Sequence, residues 1–196
     1  MVWRPAAPAL KQRQAMTAPI PLNRRTIALV GLMGVGKSTI GRRLAVALRM
    51  PFRDADAEIE IAAGRSVSEI FEHYGEASFR DGERRVIARL LDEPPHVLAT
   101  GGGALTHPAT FDLIRSKAVS VWLKTDLEVL ARRLGRRDNR PLLVGKEPLA
   151  VLREQAAARE PLFAGADIVV ETGDQAHQVT VDAVLAALKS HLATAS

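Results

Sequence analysis

From Thr26 onward, short apolar runs alternate with longer stretches whose apolar residues recur at helical spacing. TIALVG (26–31) is apolar, β-branched and ends in glycine, the pattern of a buried strand. A helix follows from Lys37 to about Met50, with Arg42, Arg43 and Arg49 off its apolar face. Pro51 and Phe52 open a second short strand ending near Asp54. Short helices are predicted at 56–63 and 66–74, the latter capped by Ser66, and another across 76–92. HVLAT (96–100) is a third strand, stopped by Gly101, Gly102 and Gly103. A helix from His107 to Lys117 and a fourth strand, AVSVWLK (118–124), come next. Asp126 caps a basic helix ending near Leu134. GRRDNRPLLVGKEP (135–148) breaks the periodicity and reads as a mobile loop. A helix from about Glu147 to Glu160, a strand at 167–171 and a helix at 176–192 follow, and no internal repeat is visible.

This alternation predicts a parallel sheet covered by helices on both faces, with ligands at the carboxyl ends of the strands. The three least ordinary stretches, 31–38, 54–56 and 100–103, all fall at such ends.

At 196 residues the chain is of single-domain size. Aromatic residues make up only 4%, so the core must be aliphatic. No apolar run is long enough to cross a bilayer, and no binding to nucleic acid or membrane is expected. The absence of cysteine excludes disulfides and thiolate metal sites and fits a cytoplasmic protein. The net charge of +5 belongs to residues 1–25, which carry Arg4, Lys11, Arg13, Arg24 and Arg25 and no acid. The remaining body, 26–196, is formally neutral. The leader reads as a disordered, solvated basic segment; a transit peptide, or a start at Met16, are the alternatives.

GLMGVGKS (31–38) fits G-x-x-x-x-G-K-[ST] in the required strand–turn–helix order. Backbone N–H groups around Gly34, Val35 and Gly36, with Thr39 beyond, suit nucleotide phosphates, and the helix N-terminus adds its positive end. Lys37 suits the outer phosphates and the Ser38 hydroxyl suits Mg²⁺. Asp54 and Asp56 both stand at the end of the second strand, their side chains on opposite sides. One suits metal support through water and the other an acceptor hydroxyl; the bland alternative is that Asp56 only caps the next helix. Thr100 stands where many P-loop proteins carry a metal-directing acid, so Asp54 shares that duty. Three glycines in succession suit backbone lying against a small ligand. Arg80 and Arg159 form a fork for a carboxylate if they meet in one cleft. Arg140, on the proline-stiffened loop, suits a lid over the phosphates.

Taken together, GLMGVGKST, DADAEIE, GEASFRDGE, LATGGGA, RPLL and R–PLF resemble the shikimate kinase family, in the family's order over about 26–171. The resemblance implies a three-layer α/β P-loop kinase fold with a five-stranded parallel sheet of order 2-3-1-4-5. It implies a mobile lid at about 135–148 and transfer of the γ-phosphoryl of ATP to the 3-hydroxyl of shikimate. Lys37 and Ser38 would serve ATP and magnesium, Asp54 the metal, and Asp56 the ring hydroxyls as base. Arg80 and Arg159 would bind the carboxylate, with Gly101, Gly102 and Gly103 lining that pocket, and Arg140 would be the lid arginine. Arg133, or failing it Arg136, would stack on adenine, near the stretch from Gly173 onward. Phe163 stands where a tyrosine is usual. A monomer is expected. The rival readings are a kinase of gluconate or of a nucleoside monophosphate, and a regulator that kept the fold without catalysis.

Overall fold

The computed structural model describes residues 25–134 and 147–194. The leader up to residue 24 and most of the expected lid, with Arg136 and Arg140, lie outside the described residues.

Five parallel strands form one sheet: β1 (Thr26–Val30), β2 (Phe52–Asp54), β3 (Val97–Ala99), β4 (Ala118–Thr125) and β5 (Ile168–Thr172). Their order is β2-β3-β1-β4-β5, as the resemblance implied. β1 lies at the centre, its Ile27 paired with Val97 on one side and Val119 on the other. Ile27 through Val30 are fully buried, which is why TIALV reads as an unbroken apolar run. The edge strands read differently. β2 is half-buried, and β5 alternates buried Ile168 and Val170 with exposed Val169.

Helices α1 (Lys37–Leu48), α2 (Ala55–Ala63), α3 (Val67–Leu91), α4 (Pro108–Lys117), α5 (Leu127–Leu134), α6 (Pro148–Phe163) and α7 (His177–Thr194) cover the sheet. Two caps expected from sequence are formed. Ser66 and Glu69 bond each other's backbone in a capping box. Asp126 accepts from the N–H groups of Glu128 and Val129.

Three local expectations are corrected. The helices expected at 66–74 and 76–92 run end to end as α3, broken only at Gly75, where φ 76 and ψ 172 leave the helical region. The residues before α4 form a 3-10 turn at Ala104–Thr106, so α4 starts at Pro108, whose missing N–H costs nothing there. α6 continues through Pro161 to Phe163, whose ring is buried against Trp122 with centroids 5.8 Å apart. Packing of that last turn outweighs the break that proline signals.

The junction of β1 with the following loop has little room. Gly31 has φ 138, and a Cβ there would lie 2.6 Å from the Leu123 carbonyl oxygen on β4. Neither the backbone conformation nor the space admits a side chain. Gly31→Ala is therefore expected to destabilise the fold by at least about 2 kcal/mol, from strain and overpacking together. Urea unfolding checks this, and an unchanged midpoint would contradict it.

Candidate active site

A cleft of about 830 Å³ opens at the carboxyl ends of the strands. Its middle is the loop between β1 and α1. Gly34 and Gly36 take φ values of 82 and 100, turning the chain so that α1 begins at Lys37. Gly36 occupies the cap position with no side-chain cap, and the first turn of α1 holds no acid. The first N–H groups of α1 therefore have neither a side-chain cap from Gly36 nor an acid of their own turn, which suits a phosphate. Val35 turns its side chain into the core, 2% exposed, leaving its backbone for the loop. Lys37 is buried, and its Nζ donates to the carbonyls of Gly31 and Leu32 at 2.8 and 2.9 Å. Ser38 and Thr39 are exposed and line the cleft.

One end of the cleft is built from α2, α3, α6 and the glycine loop after β3. Here the sequence reading needs a correction. Asp56 lies in the first turn of α2, not on the strand, and Asp54 is the cap, its Oδ1 accepting from the Asp56 N–H at 3.2 Å. Asp54 closes the helix end, so Asp56 is left to face the cleft. Arg80 and Arg159 reach the same cleft from α3 and α6. Arg159 Nη1 donates to the Gly102 carbonyl and to Gln155 Oε1, both at 3.1 Å.

The triple glycine has a reason that sequence alone did not supply. A Cβ at Gly101 would lie 2.3 Å from Glu83 Oε1 and 3.1 Å from Asp56 Oδ1. One at Gly103 would lie 2.4 Å from Arg80 Nη2, and one at Gly102 would lie 3.1 Å from the Met33 nitrogen. The glycines make room for the charged side chains of the site and for the phosphate loop. Thr100, just before them, spends its hydroxyl on the Leu29 carbonyl at 3.0 Å.

At the opposite end, Arg133 lines the cleft and donates to the Gly173 carbonyl at the start of the β5–α7 loop. Asp174 beside it pairs with Arg132 at 2.8 Å. Leu134 packs against the phosphate loop, 3.0 Å from where a Gly34 Cβ would stand.

Residues 33–189 match the family model described as shikimate kinase. The chain belongs to the shikimate kinase family. It is 66% identical to a shikimate kinase of Caulobacter vibrioides over 169 residues, 86% of this chain and 84% of the relative. It is 51% identical to one of Paramagnetospirillum magneticum over 180 residues, 91% and 92% of the two chains. Among solved structures, the shikimate kinase of Acinetobacter baumannii in complex with shikimate superposes with a TM-score of 0.82 at 38% identity. That match covers 85% of this chain and 94% of the other. A gluconokinase of Sinorhizobium meliloti shares the fold, with a TM-score of 0.56 at 22% identity over 88% of this chain and 98% of the other.

Within this family member, one site residue escaped the sequence reading as an individual. Glu83, the last letter of GEASFRDGE, is 2% exposed and accepts from Arg80 Nη1 at 2.7 Å through Oε2. Its other oxygen, Oε1, has no hydrogen-bond partner among the described residues. Burial pushes the Glu83 carboxyl up, against the pull of Arg80. Burial works against the Arg80 guanidinium too, but Glu83 and Glu76 outweigh it and hold it above the ordinary range. Arg159 is lowered by burial and by the Arg80 charge. The Asp56 carboxyl, which water reaches through the cleft mouth, is raised by the enclosing walls and then by Asp54, with Lys37 and Arg80 opposing. The signal for Glu83 was its i, i+3 spacing from Arg80, which sequence cannot tell from a surface pair.

A folded-state pKa above the unfolded one contributes stability below the ordinary carboxylate range and loses it as pH rises through the raised value. Glu83 has such a shift. Glu83→Gln keeps the shape without the titration, so its melting temperature should gain on the wild type from mildly acidic to neutral pH. Thermal melts across that range check this, and a constant difference would contradict it.

Proposed function

We propose that this protein transfers the γ-phosphoryl group of ATP to the 3-hydroxyl of shikimate, giving shikimate 3-phosphate and ADP, a step of aromatic amino acid biosynthesis. The observation that carries the reading is the meeting, in one cleft, of the Lys37 loop with Asp56 and the Arg80–Arg159 pair. Phosphate donor, base and carboxylate fork are then within one substrate's reach.

In this reading Arg80 and Arg159 fix the shikimate carboxylate, and the Gly101–Gly103 backbone lies along the ring. Asp56 orients the 3-hydroxyl and takes its proton as the new oxygen–phosphorus bond forms. The bond from the γ-phosphorus to the bridging oxygen breaks, and ADP leaves. Lys37 neutralises the charge that spreads over the phosphoryl oxygens, and the bare N–H groups of α1 hold the phosphates that remain. Arg133 stacks on the adenine of ATP.

The donor set also suits magnesium. The described residues hold no cluster of three or more acidic or histidine ligands, and Mg²⁺ ordinarily takes only one or two protein oxygens beside phosphates and water. Ser38 and, through water, the second carboxylate oxygen of Asp54, whose Oδ1 caps α2, would hold it; when bound it would supply positive charge against the phosphate oxygens. Arg140, on a lid at about 135–148, completes the proposed machinery. No helix among the described residues is long and apolar enough to cross a membrane. We propose a cytoplasmic monomer.

ADP release coupled to acceptor supply tests the reading, with gluconate and AMP as parallel acceptors because the fold is shared with a gluconokinase. Turnover should depend on shikimate and fall by about 10²- to 10⁴-fold in Asp56→Ala, the range for a lost general base. Arg159→Ala should instead raise the KM for shikimate, by the equivalent of about 2–5 kcal/mol for a desolvated charge pair. Turnover with gluconate but not shikimate would overturn the acceptor assignment.

A further inference from the structure

Arg80 is held by two carboxylates that differ in kind. Glu83 grips its Nη1 at 2.7 Å and is 2% exposed, so it cannot leave without breaking the packing around it. Glu76, one helical turn earlier, takes the other edge: its Oε1 accepts from Nε at 3.3 Å and from Nη2 at 3.1 Å. Glu76 is 59% exposed, whereas Arg80 is 15% exposed. It also follows directly on Gly75, where the helix is broken and a side chain would meet nothing within 4 Å. Arg159, the second arm of the fork, bonds only the neutral oxygens of Gly102 and Gln155 among the described residues. The Glu76 charge nevertheless acts on Arg159, opposing the lowering of its pKa. An exposed carboxylate thus sits on the edge of the Arg80 guanidinium that Glu83 leaves open.

We propose that Glu76 is an exchangeable counter-ion of the acceptor fork, holding the outer edge of Arg80 while the site is empty and yielding it to the carboxylate of the incoming acceptor. The inference rests on the acceptor reading above. It makes Glu76 a specificity residue by competition. An anionic acceptor replaces the charge it displaces, whereas a neutral analogue would leave Glu76 in place and the fork closed to it. Removing the Glu76 charge should therefore tighten binding of carboxylates, the reverse of what losing a prop of Arg80 would do.

The test is steady-state ADP release by the full chain, wild type against Glu76→Gln and Glu76→Ala. Shikimate and its methyl ester serve as acceptors, and cyclohex-1-ene-1-carboxylate as a non-reacting inhibitor. In both variants the KM for shikimate and the Ki for the inhibitor should fall by about two- to fivefold, the range of an exposed ion pair. The KM for the uncharged ester should not fall with them. A shikimate KM that is unchanged or raised in either variant, with normal wild-type turnover, would overturn this inference alone. No wild-type turnover with shikimate would overturn the acceptor reading and this inference with it.

Discussion

The cleft depends on a constraint of space at the ends of two neighbouring strands. After β1 and after β3 the chain carries glycine where a Cβ would collide with a backbone carbonyl, a buried carboxylate or a guanidinium. At Gly31 the neighbour is the β4 backbone, at Gly101 it is Glu83, and at Gly103 it is Arg80. Glycine loses more entropy on folding than any other residue, so a run of three is costly. What offsets that cost is the close approach of charges that no bulkier loop would permit.

Those charges are arranged so that each answers another. Glu83 lies buried against Arg80, Glu76 covers the outer edge, and the Asp56 carboxyl is raised by burial and by Asp54 against the pull of Lys37 and Arg80. Burial alone would lower both arginines. Glu83 and Glu76 overcome it for Arg80, while Arg159 remains lowered beside its like-charged neighbour. An anionic acceptor relieves that repulsion, which is a physical reason for the site to favour a carboxylate. The phosphate half works by another means. It offers backbone N–H groups and a helix end, which bind anions without burying a side-chain charge beyond Lys37.

The strand order sets these two halves side by side. With β1 central and β3 beside it, the phosphate loop and the glycine loop leave adjacent strands on the same side of the sheet. Under the proposed function, the donor and acceptor sites then share one cleft. α2, capped by Asp54, brings Asp56 in from the edge strand β2. The last turn of α5, which follows β4, and the loop after β5 meet at Arg133 and Gly173.

The sequence by itself determined what rests on local periodicity and backbone chemistry. TIALV is a strand because every residue in it is buried, the phosphate loop needs glycine at two positive-φ positions, and Ser66 and Asp126 cap helices from within three residues. Arg133, singled out from several arginines by family resemblance, does line the cleft. Only the tertiary structure decided which of two aspartates caps and which faces the cleft. It alone joined the two expected helices into α3 and drew α6 on to Phe163. The same holds for the reason behind three glycines and for the difference between Glu76 and Glu83, which flank Arg80 at ordinary helical spacings. Burial separates them, and burial is set by residues far along the chain, such as Gly101 against Glu83. A pattern read along the chain carries periodicity, but it does not carry what a side chain meets across space.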